Sequence, residues 1–297
     1  MKKQLSIWQE IENPQVRMHN HLVTANFGYL ELNAMRIFLL MLAKLEWDAT
    51  DFSPIRINLQ DIDSNCFGGK NFDLIMKAMD ELKTKMKDVR ILSIENGKKT
   101  YERMSVIDNI KYTEGTDFMT ATFGTAVRPY LLQLRGNFTQ AELRELMKLK
   151  STYSIRLYML VKSLFRAGQV YTTSFDDLKQ MLIGNTETYS MFRDFKRRVL
   201  QPTQKALEKT SAAFHYEEVR KGKAVASLRI WPVTYPNSVE AQKAISDILK
   251  SELDELKVNT SRIIQMLESK EITEDYVSFV IEAKRRDKKV KKIGGAI

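Results

Sequence analysis

The chain has 297 residues, enough for two domains and a tail, and 43% of them are hydrophobic, which suits buried cores. Its formal net charge of +10 favours a polyanionic partner without identifying one. A single cysteine, Cys66, excludes an intramolecular disulfide and a cysteine-rich zinc site, and no apolar run approaches the roughly 18 residues of a membrane span.

The opening MKKQLSIWQEIENPQ has lysines but no apolar core like that of a signal peptide, so residues 1–25 read as an N-terminal arm on a soluble, cytoplasmic protein. A first domain is expected over 26–135. Leu32 to Trp47 is densely apolar and predicts a buried helix. Ile55 to Asn58 reads as a short strand and Leu59 to Asp63 as a short helix. Asn71 is placed to cap a helix over Phe72 to Met86. Phe72, Ile75, Met76, Met79, Leu82 and Met86 form its apolar side, with Lys77, Glu81 and Lys85 opposite. Val89 to Glu95 alternates as a strand does, and Asn96-Gly97 supplies a two-residue hairpin turn. Lys98 and Lys99 follow it. Tyr101 to Tyr112 is expected to return as a strand, with Phe118 to Phe123 as a third.

A second domain is expected over 136–236. Thr139 and Glu142 are spaced for a capping box ahead of a helix from Ala141 to Lys148. Tyr153 to Ala167 repeats the buried first helix and stops at Gly168. Val170 to Thr173 reads as a strand, and Ser174 caps a helix over Phe175 to Leu182. A long helix, Tyr189 to Lys209, then leads to a strand at Phe214 to Val219, a basic turn Arg220-Lys221-Gly222-Lys223, and a strand at Ala224 to Trp231. The order helix, strand, helix, helix, strand, wing, strand thus occurs twice. The fold class is α+β, mostly helical: tandem winged-helix domains with a C-terminal helical extension over 237–297. That extension reads as three helices and a basic tail, Lys284 to Lys292.

The 189–209 helix carries the most chemistry. Tyr189, Phe192, Phe195, Lys196, Val199, Thr203, Ala206 and Leu207 fall on one side, all but Lys196 and Thr203 apolar. Ser190, Arg193, Asp194, Arg197 and Gln201 project from the other, with Arg198 at its edge. Arg can bind guanine edges bidentately, and Gln adenine edges. Pro202 lacks an N–H and clashes with the Arg198 carbonyl, so a kink is expected there, with Lys205 and Lys209 beyond it. The DNA-binding candidates on this helix are Ser190, Arg193, Lys196, Arg197, Arg198, Gln201 and Lys205. Arg193 and Arg197 are expected at base edges, and Lys196 and Arg198 at phosphates. Arg220, Lys221 and Lys223 are the wing candidates. Lys70, Lys77, Lys85, Lys98 and Lys99 of the first domain are read as a weaker DNA contact, or as a dimer surface that also touches DNA. Two such domains on successive major-groove faces, about 34–36 Å apart, predict a footprint of roughly 20 bp per monomer.

At Tyr153-Ser154-Ile155-Arg156-Leu157-Tyr158 and Phe192-Arg193-Asp194-Phe195-Lys196-Arg197-Arg198-Val199-Leu200, the chain resembles the replication initiators of iteron-containing plasmids. The resemblance is strong over 138–231. Over 15–134 mainly the element order and the apolar helix match. Ala206 stands where that family often has an acidic residue, with Glu208 two positions on. The resemblance implies tandem winged helices that bind repeated sites at a plasmid origin, as monomers on the repeats and as dimers on their own promoter. It further implies dimerisation through the first winged helix and contacts with a host initiator and a replicative helicase.

Enzymatic readings fare poorly. In His19-Asn20-His21 the central residue is not apolar, unlike the metal-binding histidine pair of a nicking initiator, and only His215 remains elsewhere. Gly69-Lys70 is followed by Asn71 and lacks the upstream glycine of a phosphate loop. No enzyme, cofactor or metal is expected. A sequence-specific transcriptional repressor, or autorepressor, with no direct role in replication needs the same DNA-reading helices and is the alternative. A protein-docking winged helix would carry an uncharged outward side, unlike this one.

Overall fold

The computed structural model describes residues 6–62, 72–95, 98–165 and 170–233. The first half begins with α1 (Ile7–Glu10), β1 (Gln15–His19), α2 (Asn20–Thr24) and the buried α3 (Leu32–Ala43). It continues through β2 (Ile55–Asn58), α4 (Leu59–Ile62), α5 (Phe72–Lys85), β3 (Val89–Glu95), β4 (Lys98–Met104), β5 (Ile107–Tyr112), β6 (Phe118–Phe123) and α6 (Arg128–Leu131). The second half holds β7 (Phe138–Glu142), α7 (Leu143–Lys148), α8 (Thr152–Phe165), β8 (Tyr171–Ser174) and α9 (Phe175–Ile183). A basic helix follows in three segments: α10 (Phe192–Phe195), a π turn (Lys196–Leu200) and α11 (Gln201–Leu207). Strands β9 (Phe214–Lys221) and β10 (Ala224–Pro232) complete the described chain.

The halves share the expected parts but join them differently. In the second half the wing hairpin pairs directly with the short strand, in the order β8-β10-β9. In the first half β2 pairs with β6, giving β2-β6-β5, and the β3-β4 hairpin forms its own sheet. The single strand expected over Tyr101 to Tyr112 is broken at Ser105-Val106, because the chain leaves one sheet there and enters the other.

The capping box expected at Thr139 and Glu142 does not form. Those residues lie in β7, which pairs antiparallel with β1, and Thr139 Oγ1 donates to Asn20 Oδ1 at 2.7 Å. Helix α7 therefore starts at Leu143, two residues later than expected. The described part of the stretch read as an N-terminal arm is packed in: Ile7, Val16, Met18, Leu22 and Val23 are all buried. Helix α3 ends at Ala43, short of Trp47. The cap at Ser174 forms as expected, its hydroxyl accepting from the Asp177 N–H at 3.0 Å. Gly168 and the three C-terminal helices lie outside the described residues.

Arg156, in the middle of α8, ties the halves together. It is only 5% exposed, and its Nη2 donates to the carbonyls of Ala25 (2.6 Å) and Met181 (2.9 Å). Its guanidinium lies 3.7 Å from the Phe27 ring centroid, and burial pushes its pKa down to about 9. Nearby, Asn26 exchanges two backbone hydrogen bonds with Arg90 of β3 and donates from its side chain to Gln180 of α9 at 2.7 Å. Gly28 and Gly184 meet backbone to backbone at the same seam; a Cβ on Gly184 would sit 2.4 Å from the Gly28 Cα.

Candidate nucleic-acid interface

The basic helix starts at Phe192, later than its periodicity predicts. Tyr189 takes φ +57° and Ser190 is exposed in the lead-in segment, so neither is helical. An Asx-type turn shapes this segment: Asn185 Oδ1 accepts from the N–H groups of Glu187 (3.1 Å) and Thr188 (2.9 Å). The Tyr189 ring then packs against Phe195, while its hydroxyl joins those of Tyr29 and Tyr153. Burial, with the neighbouring hydroxyls, raises the pKa of Tyr153.

The irregularity expected at Pro202 takes the form of a π turn just before it. The Gln201 N–H bonds to the Lys196 carbonyl, five residues back, and the chain stays helical to Leu207. A wider turn relieves the clash between a proline ring and the carbonyl four residues earlier. The extra residue also shifts the buried side. Phe195, Val199, Leu200, Thr203 and Leu207 are buried, whereas Ala206, expected on that side, is exposed. Buried Thr203 lies within hydrogen-bond reach of Ser154 Oγ on α8 (3.4 Å), and Gln204 Nε2 donates to the Phe214 carbonyl at 3.2 Å. Phe175 of α9 packs edge-on against both Phe192 and Phe195, with centroids 5.3 Å apart in each case.

On the outward side Arg193, Arg197, Arg198, Gln201 and Lys205 are all exposed or half-buried at most. Arg197 reaches Asp194 at 3.2 Å along its own helix. Lys196 turns toward the wing and meets Glu218 Oε1 at 2.7 Å, while Arg220 meets Glu218 Oε2 at 3.2 Å. The hydrogen bond from Lys196 holds the Glu218 carboxyl below its usual range, with Arg220 adding to the effect, and the same bond raises the Lys196 pKa. Strand β9 runs on to Lys221, so the expected four-residue basic turn is a tight Gly222-Lys223 turn, with Gly222 at φ +65°. Lys221 and Lys223 are exposed at its tip. Helix and wing enclose an open cleft of 540 Å³ lined by Ser190, Met191, Arg193, Lys196, Glu218 and Lys223, among others.

The first-half candidates do not gather in this way. Lys77 is paired with Glu31 at 2.7 Å, and the Glu31 N–H bonds Glu81, so this side of α5 is mixed in charge. Lys85 is exposed and its chain lies beside Gly28 at the seam. Lys98 and Lys99 are exposed at the start of β4, and Lys70 lies outside the described residues. Sequence reasoning missed Glu218 as the partner of two candidate cations. An acid two residues upstream of a basic hairpin tip was the available signal.

Residues 15–162 match the family model for Initiator Replication protein, WH1, and residues 174–230 match that for Initiator Rep protein, WH2. The chain belongs to the initiator replication protein family. The WH2 match of this initiator-family chain takes in the basic helix and nearly all of the wing, and the WH1 match starts at β1. The fold is similar to that in a crystal structure of Pi initiator protein in complex with iteron DNA. The two share 20% identity over 76% of this chain and 100% of that one, with a TM-score of 0.58. No curated protein matches. Among the described residues, no three His, Cys, Asp or Glu side chains are grouped to hold a metal ion, and no helix is long and apolar enough to cross a membrane.

Proposed function

We propose that this chain initiates plasmid replication in the bacterial cytoplasm by binding directly repeated origin sequences, without catalysing a reaction. The observation that carries the reading is the basic helix, with an aromatic underside seated on α8 and α9 and Arg193, Arg197, Arg198, Gln201 and Lys205 turned outward beside a basic wing. In this reading Arg193, Arg197 and Gln201 meet base edges and Arg198 holds a phosphate, while Lys221 and Lys223 hold phosphates or the minor groove. The first winged helix adds a second, weaker contact through Lys85, Lys98 and Lys99. Several copies on adjacent repeats bend or crowd the DNA, and their binding energy helps to melt an A·T-rich neighbour.

Dimerisation through the first winged helix belongs to the same proposal. Leu92 (52% exposed) and Tyr101 (74% exposed) face each other across the β3-β4 hairpin, an apolar spot that supports such a surface. Contacts with a host initiator and helicase rest on family likeness alone.

Footprinting of the purified chain on its own plasmid's non-coding DNA, at two salt concentrations, tests the function. Protection of roughly 20 bp per monomer on direct repeats is expected. Protection of a lone inverted repeat at the promoter would favour the autorepressor reading, and strand scission at the origin would overturn the non-catalytic one.

A further inference from the structure

Five large apolar side chains are exposed among the described residues: Leu74, Leu92, Tyr101, Met191 and Val219. Only Met191 of these lines the cleft between the basic helix and the wing. It is 54% exposed and occupies the N-cap position, where its carbonyl accepts from the N–H groups of Asp194 (3.1 Å) and Phe195 (3.4 Å). An exposed thioether gives the fold little burial energy, and Met is not among the residues that cap well through their side chains. The cap here is backbone only, so neither the core nor the helix start explains the side chain.

Its placement is fixed from both sides. Downstream, Phe192 is held by Phe175. Upstream, Tyr189 is held by Phe195 and the tyrosine cluster, the 185–188 turn is closed by Asn185, and Lys179 Nζ donates to the Thr186 carbonyl at 2.7 Å. Met191 therefore presents a soft apolar group from an anchored backbone, next to Ser190 and Arg193, into a cleft whose lining mixes the cations Arg193, Lys196, Arg220 and Lys223 with Glu218 and other apolar side chains.

We infer that Met191 reads a thymine through its C5-methyl group. In the major groove that methyl is the one apolar feature on a base edge, and the N-terminal residues of a recognition helix are the ones that reach base edges. A flexible, polarisable thioether packs well on a methyl. This inference rests on the proposed DNA-reading role of the helix and adds a base-specific contact that no charged residue supplies.

The test uses the full chain on the DNA that it protects, with each thymine replaced in turn by deoxyuridine, which lacks only the methyl. One thymine position is expected to lose roughly fourfold in affinity, about the worth of one buried methyl. Met191→Ala is expected to bind thymine and deoxyuridine DNA equally at that position, and Met191→Leu to keep the difference. Unchanged thermal unfolding of Met191→Ala checks that the fold is intact. If no thymine is sensitive, or if Met191→Ala keeps the full sensitivity, the inference fails while the proposed function stands. Absence of any protected repeat overturns both.

Discussion

Lys196 Nζ lies 2.7 Å from Glu218 Oε1, and Arg220 occupies the other oxygen of the same carboxylate at 3.2 Å. The basic helix and the wing are therefore bracketed through one acid inside a surface proposed to meet DNA. Two roles for that acid differ in sign. If Glu218 only repels phosphate, Glu218→Gln tightens binding to every DNA. If it sets the wing against the helix, the same change loosens binding to the specific site. We expect a loss of about two- to fivefold on the specific site, in line with roughly 0.5–1 kcal/mol for a partly exposed ion pair. Tighter binding to both specific and random duplexes, measured by titration, would remove the bracket.

The pH dependence of that bracket follows from the shifted groups. Glu218 has a lowered pKa in the folded chain, so its contribution is present above the unfolded value and is lost as pH falls through the folded one. Lys196 has a raised pKa, so its contribution is present below the unfolded lysine value and is lost as pH rises through the folded one. Glu218→Gln should accordingly flatten part of the acid limb of a stability curve. An acid limb identical to that of the parent chain would show that the pair adds nothing to stability.

Arg156→Ala tests the seam between the halves. The change leaves the Ala25 and Met181 carbonyls without their donor and removes a guanidinium from the Phe27 ring. Each orphaned buried acceptor costs about 1–3 kcal/mol, so a total loss of about 3 kcal/mol is expected. Urea unfolding reads it directly. A loss below about 1 kcal/mol would mean that water replaces the guanidinium at no great cost.

Much of the site is legible in the sequence because its cause is local. The i, i+4 spacing of Phe195, Val199, Thr203 and Leu207 marks a helix side, and the Lys221-Gly222-Lys223 tip marks a hairpin. What is illegible depends on distant partners. The pairing of β1 with β7 joins segments with the first winged-helix elements between them, and Thr139, spaced like a cap, finds its partner in Asn20 instead. The π turn adds one residue to a regular period, so the edge of the buried side shifts: Leu200 within the turn goes in and Ala206 beyond it comes out, while Thr203 and Leu207 stay buried. Periodicity gives no sign that Lys196 pairs with Glu218, because that acid lies on a different element, β9. Arg156 sits in a motif that looks like an ordinary amphipathic helix until Ala25 and Met181 are brought against it.

Gly184→Ala should be far more damaging than Gly222→Ala. Both glycines have positive φ, +86° and +65°, so both substitutions carry the left-handed penalty of about 1–2 kcal/mol. At Gly222 a Cβ would meet nothing within 4 Å, whereas at Gly184 it would meet the Gly28 Cα at 2.4 Å. Backbone on both sides of the seam would have to move, adding about 1–3 kcal/mol of overpacking. Thermal unfolding of the two variants side by side checks the difference, and equal losses would show that the seam is loose enough to yield.

Helix and wing should separate by how they fail. Arg197 is exposed and held by Asp194 at 3.2 Å, which orients its guanidinium along the helix. A side chain that reads a base edge is worth about 1–3 kcal/mol at one base pair, so Arg197→Ala should weaken the specific site by that amount and relax preference at one position. Lys221 and Lys223 are point charges at a hairpin tip, with no built geometry for a base. Their removal should weaken all sequences alike and lower the slope of log affinity against log salt by about one for each phosphate no longer neutralised. Binding isotherms at three or more salt concentrations, on the specific site and on single-position variants of it, distinguish the two. Uniform weakening by Arg197→Ala would move that residue from base edge to phosphate, and an unchanged slope for Lys221→Ala and Lys223→Ala would take the wing out of the interface.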